Sequence, residues 1–199
     1  LKVSEEIETP RLWLMDEEES HLIQLQQDRL VVNWRKGPKG APYPHYDDIR
    51  DSLKKAWGGL EEVVRGLGRP LPSPSICEVL YVNHFDEHSG WSSASDTPRV
   101  IAPWGGSTSD SFLPPPSEAA LSMLFELPEG RGWLAVDGRS GRLGPRGSVM
   151  TLNLIARGRT TSPGLHGALA FMDLAHEWIV QGFTSITTVE AHERWRRKR

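Results

Sequence analysis

Cysteine is almost missing from this chain: Cys77 is the one thiol among 199 residues. A lone thiol excludes an internal disulfide and a cysteine-rich zinc site, and that usage points to a reducing cytoplasm. No apolar run reaches the length of a membrane span, and the first residues lack the charged-then-apolar pattern of a signal peptide. Positive charge is not in excess either. With 23 Lys and Arg against 26 Asp and Glu, the net charge of -3 argues against a surface that generally coats nucleic acid. A glycine-rich phosphate loop, a dinucleotide fingerprint and a nucleophile elbow are also absent. GWSSAS (90–95) and PWGGSTSDS (103–111) carry glycine and serine, but do not sit between a strand and a helix as those motifs require. Tyrosine and phenylalanine are few, at 3 and 5, whereas tryptophan numbers 8, so a large aromatic area must be placed somewhere.

A chain of this length can bury a sizeable interior as one domain, or as two small halves sharing one core. Alternation predicts a strand over 11–15 (RLWLM), with Leu12 and Leu14 on one face and Arg11 and Trp13 on the other. A second strand follows over 21–26, then a tight Gln27-Asp28 turn into a third over 29–35, which gives an antiparallel meander. Leu30, Val32 and Trp34 share one face of the third strand; Arg29, Val31, Asn33 and Arg35 share the other. A helix is predicted next, with Pro44 in its first turn and Asp47 and Asp48 at its positive N-terminal end. Its apolar stripe is Tyr46, Ile49, Leu53, Ala56, Leu60, Val63 and Leu67, with a bend expected at Gly58-Gly59 and a stop before RPLPSP (69–74). Further strands are predicted over 76–85, 119–127, 133–137 and 149–157, then a helix carrying Leu169, Met172, Ala175, Ile179 and Phe183. Between the fourth and fifth strands, 86–117 forms the longest irregular segment, and Trp91 and Trp104 imply that part of it packs down. Thr187-Thr188 can cap a short last helix that ends in the basic tail WRRKR (195–199).

Three strands and a helix, then four strands and a helix, read as one unit used twice with the first copy lacking its opening strand. The fold class expected is α+β: a single domain of pseudo-repeat halves, about 11–70 and 76–186, with both long helices packed on one face of an antiparallel sheet. The 187–199 stretch is then a short helix and tail. The chain opens at Leu1 rather than Met, which together with the missing strand suggests a segment upstream.

Asparagine is disfavoured in strands because it competes for backbone hydrogen bonds. Asn33, Asn83 and Asn153 nevertheless sit in predicted strands. Alternation places Asn33 and Asn153 opposite the helix-facing positions, joined by Gln24, Gln26, Arg35, Glu126 and Arg157, with Trp13 nearby; Asn83 falls on the other parity as a buried hydrogen-bonding residue. This helix-free face is either a solvated exterior or a surface for a ligand, a peptide or a second subunit. Were the fourth strand to continue past Phe85, His84, Asp86 and His88 would project to one side as metal ligands, but Gly90 and the serines begin a loop and no fourth ligand is indicated. Asp173 and His176 lie one turn apart and could form a carboxylate–histidine couple or an ordinary helix hydrogen bond. His176-Glu177 is not a zinc-protease helix, since the second histidine would stand where Val180 does.

The ordered blocks QLQQDRLVVNWRK, YPHY, YVNHF, SDSFLP, LNLIARG and AHEWIVQGFTSITT resemble a sporadically distributed family of uncharacterised bacterial and archaeal proteins. The resemblance covers about 12–197, almost the whole chain, and implies no activity, cofactor or catalytic residue. Members begin earlier, with another apolar strand and a short helix. Their patchy distribution implies a link to phage defence or a toxin–antitoxin pair.

From residues and resemblance together, the expectation is a non-enzymatic cytoplasmic binding or adaptor protein without a cofactor. Its partner would be another protein or a second copy, held by the polar sheet face and the Trp-bearing loop. One alternative is a hydrolase acting on nucleic acid or a small phosphorylated compound through His84, Asp86 and His88, or through Asp173 with His176. Another is nucleic-acid binding through Arg29, Arg35, Arg157 and the 194–199 tail.

Overall fold

The computed structural model describes residues 10–36, 40, 42–104, 112–114, 116–142 and 147–196. The protein is α+β with antiparallel strands, and the strands form two sheets, one in each of two compact units, Leu1–Ser73 and Pro74–Arg199. The division falls inside the proline-rich stretch, where a backbone short of N–H donors extends neither helix nor ladder. The expected single sheet is thus two, because no ladder joins the third strand to the later ones among the described residues.

In the first unit, β1 (Leu12–Met15), β2 (His21–Gln26) and β3 (Arg29–Trp34) form the expected meander, with Gln26 opposite Arg29 across a two-residue turn. Helix α1 (Tyr46–Gly66) starts after Pro44, which was expected in its first turn: Pro44 precedes the N-cap His45, whose backbone N–H donates to the Asp48 carboxylate at 3.1 Å. The helix runs unbroken through Gly58-Gly59. Its inward stripe is Tyr46, Ile49, Leu53, Trp57, Leu60 and Val64, a 3.6-residue period that Trp57 and Val64 complete, with Trp57 buried and the others half-buried. Val63 and Leu67, expected in that stripe, are 61% and 71% exposed.

In the second unit the meander recurs with one strand more. Strands β4 (Ile76–Phe85), β5 (Ala120–Glu126), β6 (Gly132–Arg142) and β7 (Ser148–Arg159) take the order β4-β7-β6-β5, all antiparallel. Helix α3 (Gly164–Ile186) packs on β4, β7 and β6; a short α2 (Thr97–Val100) precedes it in the chain, and α4 (Val189–Arg194) follows. Met150, Leu152, Leu154 and Ala156 alternate toward α3, where Phe171, Ala175 and Ile179 meet them in one core. Close approach requires Gly158: a side-chain carbon there would lie 2.6 Å from the Phe171 ring and strike the Arg131 carbonyl oxygen. Full burial of a ring such as Phe171, none of it exposed, is worth about 1.5–3 kcal/mol. Among the described residues, no helix is long and apolar enough to cross a membrane.

Part of the long irregular segment is built into this core. Trp91 is 1% exposed and donates its indole N–H to Thr97 Oγ1 at 3.2 Å, while Val100 and Ile101 are buried and Ile101 bridges to Thr187. The chain's end is pinned against the same region. Thr188 caps α4 by accepting from the Ala191 N–H, and Trp195 stacks on Phe85 at 5.1 Å with its N–H on the Ser89 carbonyl. The Thr187 hydroxyl donates to the Phe183 carbonyl at 2.6 Å, so its 2.7 Å contact with His192 Nε2 leaves the imidazole as donor.

Candidate functional site: two open sheet faces

In the first unit, register places Trp13, Gln24 and Val31 in one cross-strand row and Met15, Leu22 and Asn33 in the next. Gln26 lies opposite Arg29 on the same side, beside the Arg11 guanidinium. Trp13, Gln24, Gln26 and Asn33 therefore share a face, opposite Leu30, Val32 and Trp34, as alternation requires. Arg35 follows the end of β3 and is committed to structure: its Nε donates to the Glu19 carbonyl at 3.0 Å and its Nη2 to the Glu19 carboxylate at 3.1 Å. Glu19 holds a φ of +54° at that turn, and Asp16 organises the other side of it by accepting from the Ser20 and His21 N–H groups. The His21 N–H, foremost among these contacts, holds the Asp16 carboxyl below the usual carboxylate range.

In the second unit, Asn153 and Arg157 share the face of the four-stranded sheet that α3 leaves open. One row across it reads Ser122, Asp137, Asn153, Val82. The next is Leu124, Ala135, Ile155, Leu80, apolar on all four strands. A third reads Glu126, Trp133, Arg157, Glu78, with Arg157 Nη1 3.6 Å from the Glu78 carboxylate. Leu80, Val82 and Leu124 are 49%, 50% and 68% exposed. Ser122 donates to Asp137 Oδ1 at 2.7 Å, while Asn153 Oδ1 is buried without a hydrogen-bond partner. A buried acceptor left unpaired costs about 1–3 kcal/mol, so this row combines exposed apolar surface with an unmet demand for a donor.

The two sets of predicted residues thus belong to two different sheets, one per unit. Asn83 takes the parity expected of it and donates to the Leu152 carbonyl at 3.3 Å. The metal set is not assembled, because β4 ends at Phe85 and the chain turns. Asp86 caps a short helical turn by accepting from the Ser89 N–H, and His88 lies 4.0 Å from it on an exposed side chain. Burial pushes the Asp86 carboxyl up, but the Ser89 N–H and hydroxyl outweigh it and hold the group below its usual range. Among the described residues no three His, Cys, Asp or Glu side chains stand together as a metal site. His176 Nδ1 lies 2.8 Å from the Tyr81 hydroxyl, a contact from α3 to β4 that the sequence spacing of Asp173 and His176 does not reveal. Cys77 is buried, and burial pushes its thiol up, which lowers its reactivity. Of the expected phosphate-binding arginines, Arg35 and Arg157 already face carboxylates, and of the 194–199 tail Trp195 is packed and 197–199 lie outside the described residues.

Leu80, Val82, Leu124, Asp137 and Ser122 were not among the predicted site residues. A signal for two of them was present: ICEVLYVNHF is apolar on both parities, the pattern of a strand covered on both faces. Asp137 and Ser122 become legible only once register sets them beside Asn153. On the helix side, an apolar groove of about 260 Å³ opens between β5, β6 and α3, floored by Phe125, Leu134 and Trp178. A comparison with protein-family models, with curated proteins and with solved structures finds no match to this chain.

Proposed function

We propose that this chain is a non-enzymatic binding or adaptor protein whose recognition surface is the open face of the four-stranded sheet. The observation that carries the proposal is the Leu124–Ala135–Ile155–Leu80 row, apolar across every strand and partly exposed, beside the unpaired Asn153 oxygen. An open antiparallel face ordinarily alternates to polar residues, so a continuous apolar row there calls for a cover. A protein partner supplies the missing apolar area. Trp91, from the Trp-bearing segment, is held in the core and is not part of this surface. If the family resemblance holds, the partner is a component of a defence or toxin–antitoxin system.

Carbodiimide labelling of the exposed carboxylates tests the proposal. In a complex purified from host cells, Glu78, Glu126 and Asp137 should lose labelling relative to the isolated monomer, while Glu17 and Glu62 of the first unit keep theirs. Unchanged labelling at all three sheet carboxylates would overturn the assignment.

A further inference from the structure

We infer, resting on the binding surface assigned above, that the cover of this face is a second copy of the same chain. The two copies would be related by a two-fold axis lying in the plane of the face, perpendicular to the strands, and passing over the Leu124–Ala135–Ile155–Leu80 row. A symmetric dimer joins one patch to itself, so the patch must be self-complementary under some rotation. This axis keeps each strand over its own equivalent and reverses the order of the rows. The apolar row then meets itself. The row of Asp137 and Asn153 meets the row of Trp133 and Arg157: the Asp137 carboxylate comes opposite an indole N–H, and Asn153 stands opposite an arginine guanidinium. Ser122 comes opposite Glu126 with its proton already given to Asp137, so this pair adds nothing. Each match occurs twice.

The other in-plane axis, parallel to the strands, fails on charge. It would set Glu78 of one copy against Glu126 of the other, and bring the Asp137 carboxylate to the Asn153 oxygen that needs a donor. The perpendicular axis has two adverse pairs: Arg139 opposite Arg131, at the rim where solvent and salt screen it, and Val82 opposite Glu78, whose carboxylate keeps Arg157 beside it. Sheets of this kind stack about 10 Å apart with strands rotated by about 30°, a separation that side chains of this size fill. Four strands at about 4.8 Å spacing and ten residues at about 3.4 Å give a face of roughly 700 Å², near the ~800 Å² per partner of stable complexes.

Sedimentation velocity on the full chain over the micromolar range tests for the dimer, and thiol cross-linking tests its axis. The expected result is a dimer that Leu124→Asp weakens at least about tenfold, with the circular dichroism spectrum unchanged because Leu124 is largely exposed. A short bifunctional thiol reagent should link Leu80→Cys chains to one another, since the axis sets each Leu80 over its equivalent; the native Cys77 is buried and gives the unlinked background. A monomer at about 100 µM overturns the second copy as the occupant. Carboxylate protection by a different protein in that same monomer leaves the binding surface standing and identifies its cover as a foreign chain. A dimer indifferent to Leu124→Asp, or one in which Leu80→Cys links only to Leu124→Cys, overturns the face or the axis respectively.

Discussion

The two units share a plan, a three-stranded meander followed by a long helix, and differ in how much they bury. Among the described residues, every buried apolar side chain apart from Trp57 lies in the second unit. In the first, Leu12 and Leu14 remain 59% and 63% exposed although they stand on the apolar side of their sheet. The helices explain much of the contrast. Helix α1 carries Lys54, Lys55, Glu61, Glu62 and Arg65, so only a narrow stripe can leave water. Helix α3 carries Asp173 and Glu177 and is otherwise uncharged apart from histidines, while Ala168 and Ala175 let it descend onto Ala156 and Gly158. The second unit also gains β4 beside β7 and the clamp of α4 and Trp195. A shared topology fixes which residues can meet; the size and charge of the facing side chains decide how much water is expelled.

The largest expected effect tests that contrast directly. Phe171→Ala should cost about 3–5 kcal/mol in urea unfolding, because the cavity lies in a fully packed core. Leu53→Ala, the equivalent truncation on the half-buried stripe of α1, should cost about 1 kcal/mol. Equal costs would mean that the first unit is held as tightly as the second, and the comparison would collapse.

Next in size is the C-terminal clamp. Trp195→Ala removes the ring stacked on Phe85 and the bond to the Ser89 carbonyl, and should lower stability by about 2 kcal/mol. Thermal unfolding followed by tryptophan fluorescence measures it. A change within a few tenths of a kcal/mol would show the tail to be merely resting on the surface.

The smallest effect concerns the turn after Trp91. Asp96 accepts from the Ser92 and Ser93 N–H groups at 2.9 and 3.0 Å, and the Ser92 contact chiefly holds its carboxyl below the usual range. Asp96→Ala should cost about 1 kcal/mol at neutral pH. The sign with pH follows from the lowered folded-state value: the wild-type advantage is complete above the ordinary Asp range near 4 and is lost as pH falls through the folded-state value below it. Urea midpoints of both proteins at descending pH check this, and a gap that widens in acid contradicts it.

Much of the site was legible as parity. Period two placed Trp13, Gln24, Gln26 and Asn33 on one face, and Asn153, Arg157 and Glu126 on another, because side chains alternate across any strand. Parity could not say that these were separate sheets, nor that Arg35 would turn to Glu19. Trp57 was missed because Ala56 fits the same apolar stripe almost as well, and only packing distinguishes positions 100° apart on a helix.

The elements are set locally along the chain: where alternation runs, where glycine and proline end it, which helix is amphipathic and which is apolar on most sides. Those are local properties, set by the backbone and by neighbours a few residues away. Tertiary structure alone decided that Asn153 would stand between Val82 and Asp137 with no donor, that His176 would reach Tyr81, and that Trp91 would serve the core. Each of these joins segments far apart in the chain, and such contacts depend on register and burial, which no local pattern encodes.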